Sequence, residues 1–225
     1  LTYEEIHRFE NIPIEKDGHL CWDVETLLKE IHTAIQKAGT FDSLGFDTWG
    51  VDFGLLDADG HLLANPVHYR DARTNGKPEQ AAARMPAEEL YAHTGNQIMA
   101  INTLFQLLAL REQDPELLQK TAQILFMPDL FAALLGAEPV CERSIASTSQ
   151  MLDPRTGQWS REVLSVYGLP ENRFAPIVAS GTVTGTLATG AKIIAVAGHD
   201  TQCASAAMPC AEEDAEHTAF LSCGT

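Results

Sequence analysis

Between positions 43 and 63 the chain reads SLGFDTWGVDFGLLDADGHLL, and this stretch limits the possible folds more than any other. Leu44, Phe46, Val51, Phe53 and Leu55 recur in steps of two on either side of Trp49-Gly50, the period of a strand. The pattern predicts two short strands broken at Trp49-Gly50, a turn at Asp57-Ala58-Asp59-Gly60 and a third strand after it. Asp59-Gly60 supplies the positive φ that a tight hairpin needs. A plain hairpin has no use for Asp47 and Asp52 near the strand ends. Aspartate is depleted in strands, and a charge placed there has to be hydrated or partnered. Gly50, beside a large aromatic, lets a ligand come close to backbone N–H groups. On this segment alone two readings stand level: a solvated strand end with a packing tryptophan, and a site for a small polar ligand.

The flanks set this stretch in an α/β context. Residues 1–9 alternate loosely, as a strand would, and His19 to Trp22 reads as a short strand after the Asp17-Gly18 turn. Asp23 is placed to cap a helix over Val24 to Ala38, with Leu27, Leu28, Ile31 and Ile35 on one face and Gly39 as its stop. Strand, helix, strand in that order predicts a sheet with helical cover. After the polar segment 66–76, helices are expected over 77–84, 86–93, 103–113 and from Pro115. That over 103–113 should bury Leu104, Leu107, Leu108 and Leu110. An apolar run at 124–127 precedes a helix that starts at Pro128-Asp129 and stops at Gly136. Ser144 to Gln150 is small and polar, suited to close backbone packing or to lining a pocket. A turn at 153–157 leads to a helix over 161–167, capped by Ser160. Residues 181–190 read as loop or weak strand. Lys192 to Ala197, KIIAVA, has the continuous apolar character of a strand buried on both faces. A small-residue helix over 202–207 and a strand over 217–221 follow. No repeat, low-complexity tract or linker divides the chain.

Charge narrows the partners. Asp and Glu number 31 against 15 Lys and Arg, a formal net charge of −16. Such a surface repels nucleic acid and anionic lipid. A local nest of N–H groups can still hold a small anion. The five cysteines (Cys21, Cys141, Cys203, Cys210, Cys223) are odd in number and irregularly spaced, with no CxxC. That argues against a zinc site or a disulfide framework and for a reducing, cytoplasmic setting. Neither a membrane-span-length apolar run nor a signal peptide is visible. The chain opens without Met and stops at Ser222-Cys223-Gly224-Thr225, so it is expected to belong to something longer.

Three further segments could carry chemistry. Gly198-His199-Asp200-Thr201 stands where the 192–197 strand gives way to a helix, the end of an open α/β sheet at which ligands bind. Asp200 there is either a helix cap or a carboxylate that accepts a proton from a substrate hydroxyl. His199 either orients a hydroxyl or satisfies backbone groups. In Tyr69-Arg70-Asp71-Ala72-Arg73-Thr74, Asp71 lies between two arginines, each able to pair with it, and its first role is to hold a loop. The terminal Ser-Cys-Gly-Thr offers small donors of the kind that meet phosphate. Neither G-x-x-x-x-G-K-[ST] nor G-x-G-x-x-G occurs.

Asp47-Thr48-Trp49-Gly50-Val51-Asp52-Phe53, Tyr69 to Thr74, Met127-Pro128-Asp129 and His199-Asp200-Thr201, in this order, resemble the FGGY carbohydrate kinases of the actin-like ATPase superfamily. The likeness runs from Glu5 to Thr225 and is nearest to the members that act on L-rhamnulose. DTWGVDF is the discriminating stretch, since glycerol kinases and xylulokinases carry other residues there; YRDAR is a variant of a motif shared more widely. The resemblance implies ATP- and Mg²⁺-dependent transfer of phosphate to the 1-hydroxyl of L-rhamnulose in L-rhamnose catabolism. By motif match Asp200 becomes the catalytic base. Gly50, His199 and Thr201 become ketose-binding positions, and Thr225 an ATP-phosphate contact. Trp49, Asp47, Asp52 and Gln106 are further candidates for the sugar pocket. No protein metal ligand is assigned.

The implied fold is α/β: a ribonuclease H-like domain, most of the sugar-binding first domain of a two-domain kinase. Residues 1–225 would lack its opening strands and phosphate loop, and the nucleotide-binding second domain would follow. By itself the 225-residue chain is then expected not to turn over. Two alternatives remain beside this reading. One is a relative specific for another ketose or polyol (L-fuculose, L-ribulose, D-xylulose, glycerol), since a few pocket side chains switch the sugar. The other is a non-catalytic sugar-binding domain on the same fold, against which the presence of Asp200 weighs.

Overall fold

A computed structural model describes residues 2–221. The first hairpin pairs Ile14–Lys16 (β1) with His19–Cys21 (β2) through Asp17-Gly18, both at positive φ. Helix Val24–Ala38 (α1) begins on Asp23, whose carboxylate accepts from Thr26 N, and ends at Gly39 with φ 70°. Ser43–Leu44 (β3) follows, then Phe53–Leu56 (β4) and Leu62–Ala64 (β5), joined by the Asp57–Gly60 turn. Four helices come next: Lys77–Ala82 (α2), Ala87–Thr94 (α3), Thr103–Gln113 (α4) and Pro115–Lys120 (α5). Gln123–Phe126 (β6), Met127–Leu134 (α6), Cys141–Glu142 (β7), Arg143–Ser147 (α7), Leu152–Asp153 (β8) and Gln158–Trp159 (β9) lead to Arg161–Tyr167 (α8), capped by Ser160. The last elements are Ile177–Val178 (β10), Thr182–Thr186 (β11), Lys192–Ala195 (β12) and Asp200–Ala206 (α9). The chain is therefore α/β, and among the described residues no helix is long and apolar enough to cross a membrane.

The strands form several small sheets. β4 is the centre of an antiparallel set, β5-β4-β6, with Phe53 opposite Phe126. β12 is the centre of another, antiparallel to β11 and parallel to β3. The 43–63 stretch thus serves two sheets: β3 leaves with β12, and β4 turns back to pair with β6. The break at Trp49-Gly50 is the crossing between them. Beyond β3 the parallel register resumes as a bridge between Thr48 and His199, with Thr48 N donating to Gly198 O and Asp200 N to Thr48 O, each at 2.9 Å. Two motifs remote in sequence are thereby laid side by side at the C-terminal ends of two parallel strands.

Four expectations need correction. Residues 2–13 form no strand; they have no ladder partner among the described residues, and a strand without one leaves its backbone groups to water. Instead His7 Nε2 lies 2.6 Å from Glu30 Oε2 and its Nδ1 2.9 Å from Lys37 Nζ, tethering the segment to α1. Residues 218–221 also form no strand, following a 3₁₀ turn at Glu212–His217. α4 is not one-faced: Thr103 through Leu110 are all buried. It is the axis of a core shared with Phe53, Met85, Leu90, Val163 and Tyr167. β12 buries Ile193 and Ala195 but leaves Ile194 half-covered, so only one of its faces is fully packed.

Candidate active site

Gly198 closes β12 onto α9 because nothing larger fits. A Cβ there would lie 2.9 Å from Pro128 Cγ and 3.3 Å from Ile145 Cβ. The glycine amide is held by Glu142, a side chain 1 % exposed. Glu142 Oε2 accepts from Gly198 N (3.0 Å), Ser144 N (2.9 Å), Ser144 Oγ (2.5 Å) and Ile145 N (3.2 Å), and Oε1 from Ser180 Oγ (2.6 Å). Ser144 Oγ in turn accepts from His199 N at 3.2 Å. One buried carboxylate therefore caps α7 and fixes the backbone that presents His199 and Asp200. Asp129 stands behind it, accepting from Glu142 N at 3.1 Å, and burial pushes its carboxyl up to about 7.

With this backbone fixed, Asp200 projects outward. The residue in the N-cap position of α9 is His199, and Asp200 lies in the first turn, with its side chain 59 % exposed. Its Oδ1 accepts from Thr201 N at 2.6 Å and lies 3.5 Å from His199 Nε2. Oδ2 has no hydrogen bond among the described residues.

Asp200, His199 and Thr201 line a cleft of ≈ 520 Å³ together with Trp49, Gly50 and Tyr69. Its opposite wall comes from Asn96, Met99, Asn102 and Thr148. Among the described residues no lysine or arginine lines it, and Asp200 is its one carboxylate. Amides, hydroxyls and aromatic faces without a cation suit a neutral polyhydroxylated ligand.

The Trp49-Gly50-Val51 bend is built under strain. Val51 has φ 67°, where a β-branched residue is a genuine outlier, and Asp52 N donates back to Gly50 O at 2.9 Å, closing a γ-turn. Val51 N donates to Thr148 Oγ1 (3.0 Å), and Val51 O accepts from Thr103 Oγ1 (2.7 Å). Gly50 is required because a Cβ would lie 2.9 Å from Thr148 Cγ2. Gln150, at φ 66°, is a second strained position; its side chain joins Thr94, Asn96 and Asn102 behind the opposite wall. Strain of this kind gathers at ligand sites.

Asp52 does not line the cleft, nor does Gln106, contrary to the sequence reading. Asp52 is fully buried behind Trp49: Oδ2 accepts from Trp22 Nε1 (2.6 Å), Trp49 Nε1 (3.0 Å) and Tyr69 N (3.1 Å), and Oδ1 from Gln106 Nε2 (2.9 Å). Burial raises its carboxyl to about 6 even against these donors. The pair fixes the tryptophan rather than a ligand. Asp47 is exposed and lies outside the cleft lining, near Cys203 on α9, whose thiol is pushed up chiefly by burial and secondarily by Asp47. Asp71 pairs with neither neighbouring arginine: it accepts from Leu20 N and Arg73 N, both at 2.9 Å, and from His19 Nδ1 at 3.2 Å, so it holds the loop through backbone amides. Thr225 lies outside the described residues.

The FGGY family of carbohydrate kinases, N-terminal domain, matches residues 6–206. A rhamnulokinase of Bacteroides thetaiotaomicron is 40 % identical over 238 residues, covering 100 % of this chain and 48 % of its own length. One from Klebsiella pneumoniae is 39 % identical over 233 residues, covering 100 % and 47 %. The chain thus spans about half the length of the curated relatives it matches. Among solved structures, a carbohydrate kinase from Novosphingobium aromaticivorans superposes with a TM-score of 0.76 at 22 % identity, over 87 % of this chain and 43 % of that one. A xylulose kinase from Lactobacillus acidophilus gives 0.75 at 17 % identity, over 83 % and 41 %. These structures show a shared fold. Family match and whole-chain identity agree, and the chain belongs to the FGGY family of carbohydrate kinases.

Proposed function

We propose that the protein containing this chain phosphorylates L-rhamnulose at its 1-hydroxyl, using ATP and Mg²⁺, to give L-rhamnulose 1-phosphate. Residues 1–225 supply most of its sugar-binding domain, and a second domain holds the nucleotide. The observation that carries the reading is the Thr48–His199 pairing, which brings Asp200 to the mouth of a cation-free polar cleft. Resemblance along the whole chain to enzymes named rhamnulokinase supports the choice of sugar.

In this reading the chain's own task is to bind, orient and accept a proton. Trp49 and Tyr69 offer apolar faces to the sugar carbons, while Asn96, Thr148, His199 and Thr201 offer hydrogen-bond partners to its hydroxyls. The carboxylate of Asp200 already has Thr201 N on Oδ1, which leaves Oδ2 to accept the proton of the attacking hydroxyl. Positioning and one proton acceptor are what phosphoryl transfer asks of the protein beside charge stabilisation. ATP supplies the phosphoryl group and Mg²⁺ offsets its charge. The described cleft has no cationic side chain and no glycine-rich loop to fit a triphosphate, so those contacts are assigned to Thr225 and to the second domain. A full-length enzyme should phosphorylate L-rhamnulose in preference to L-fuculose, L-ribulose, D-xylulose and glycerol. Preference for another of these sugars would keep the kinase and change its substrate; sugar binding without turnover would favour a non-catalytic role.

A further inference from the structure

A second cavity, of ≈ 250 Å³, shares no lining residue with the cleft. It lies between the β1–β2 hairpin, the β4–β5 hairpin and the C-terminal part of α4. Arg73 lines it, and its guanidinium is short of partners. Nη2 donates to Gln106 Oε1 at 2.8 Å, but Nε is buried without a partner, and Arg73 is in no ion pair among the described residues. The carboxylates that attract it are engaged elsewhere: Asp71 with Leu20 N, Arg73 N and His19, Asp52 with its four donors. A guanidinium has five N–H donors, and a buried cation left unpaired is unfavourable unless an anion or water meets it.

The walls around that cation are hydrocarbon: Phe53, Leu55, Leu63, Leu110 and Leu117. The charged side chains of the lining, Lys16 and Arg73 against Asp17 and Asp114, balance one another, with His19 beside them, so the cavity offers no excess positive charge for a multiply charged anion. We propose that this cavity binds a small organic monocarboxylate, its carboxylate on the Arg73 fork and its hydrocarbon body against the leucine and phenylalanine wall. A planar carboxylate matches the guanidinium fork with two parallel hydrogen bonds, which a neutral hydroxyl cannot. Phosphate fails on two counts, lacking an apolar body and carrying more charge than a lining of two cations and two carboxylates offsets. The inference stands apart from the kinase reading, because it uses none of the cleft residues.

The test is ligand-observed NMR and calorimetry on the full-length protein at constant ionic strength, with L-rhamnulose present to occupy the cleft. Benzoate and butyrate are the probes; benzyl alcohol and inorganic phosphate are the controls. Benzoate should bind saturably and at least about tenfold more tightly than either control. Arg73→Met should abolish binding, and Arg73→Lys, keeping charge without the fork, should weaken it about tenfold. If the Arg73 variants fail to fold, Leu63→Trp decides, since it fills the cavity from a half-buried wall position and leaves Arg73 in place. Absence of saturable benzoate binding by the folded wild type would overturn the proposal. So would equal binding of benzyl alcohol or phosphate, or undiminished binding by a folded Arg73→Met or Leu63→Trp protein.

Discussion

Removing Glu142 should loosen the backbone that presents Asp200 without touching the cleft itself. In Glu142→Ala the Gly198, Ser144 and Ile145 amides and the Ser144 hydroxyl all lose the one oxygen they share. The vacated space adjoins a hollow of ≈ 620 Å³ lined by Glu142 and Ser144, so water can enter, but a water oxygen has two lone pairs and leaves at least one of the three amides without an acceptor once the Ser144 hydroxyl turns elsewhere. One orphaned buried donor costs about 1–3 kcal/mol, and loss of a helix N-cap about 1 kcal/mol more. The expected destabilisation is therefore about 2–4 kcal/mol, read by urea unfolding of the full-length protein. Glu142→Gln keeps an oxygen toward the three amides and turns its NH₂ to Ser180 Oγ, so about 1 kcal/mol is expected there. Turnover measured well below the unfolding midpoint should fall on the order of tenfold to a hundredfold in Glu142→Ala, because small displacements of a reacting group are costly. A Glu142→Ala protein within about 1 kcal/mol of wild type and with normal kcat would refute the reasoning. A Gln variant as impaired as the Ala variant would show that charge, rather than an acceptor at that point, is what matters.

Other consequences follow from buried acids and close contacts. Burial raises Asp129 to about 7 and Asp52 to about 6, both above the ordinary aspartate value of 3.8. The native state therefore holds protons that the unfolded chain has released. Stability from these groups is greatest below about pH 4, falls as pH rises toward 7 and is flat above, by about 3 kcal/mol for Asp52 at 1.36 kcal/mol per pH unit. Asp129→Asn should remove much of the loss between pH 5 and 7 in urea unfolding; an unchanged pH dependence would mean that Asp129 is ionised throughout. Gly50→Ala forces a methyl against Thr148 Cγ2 and should cost about 1–3 kcal/mol and raise the KM for sugar. Adding Thr148→Ser, which removes that methyl and keeps the hydroxyl bonded to Val51 N, should restore much of both. Failure of the double variant to recover would move the role of Gly50 from packing to its φ/ψ freedom.

Local rules made much of the fold legible. The 24–38 and 161–167 helices start and stop where their caps say, because Asp23, Ser160, Gly39 and Gly168 act on the nearest turn. The Asp57–Gly60 hairpin is equally local. What failed depends on partners remote in sequence. Residues 2–9 and 218–221 have strand-like patterns but no ladder among the described residues. Asp52 looked like a pocket residue because its chief donor, Trp22 Nε1, lies 30 residues upstream, and no periodicity announces that bond. The cleft was half legible: Trp49, Gly50 and His199 to Thr201 line it, but Asn96, Asn102 and Thr148 enter through loops with no pattern of their own. Ser144 to Gln150 was the available signal, since a small polar stretch does supply Ser147 and Thr148. Glu142 had no signal at all, because a lone glutamate becomes a brace only when Gly198 is folded onto it.

The most direct test is a coupled ATP-turnover assay on the full-length protein with L-rhamnulose, wild type beside Asp200→Asn, with thermal unfolding of both. The substitution keeps the side chain's size and an oxygen for Thr201 N while removing the proton acceptor. The account predicts turnover by the wild type and a loss on the order of a hundredfold or more in kcat in the variant, at unchanged stability. Near-normal turnover by Asp200→Asn would contradict it and leave Asp200 with no more than a place in the first turn of α9.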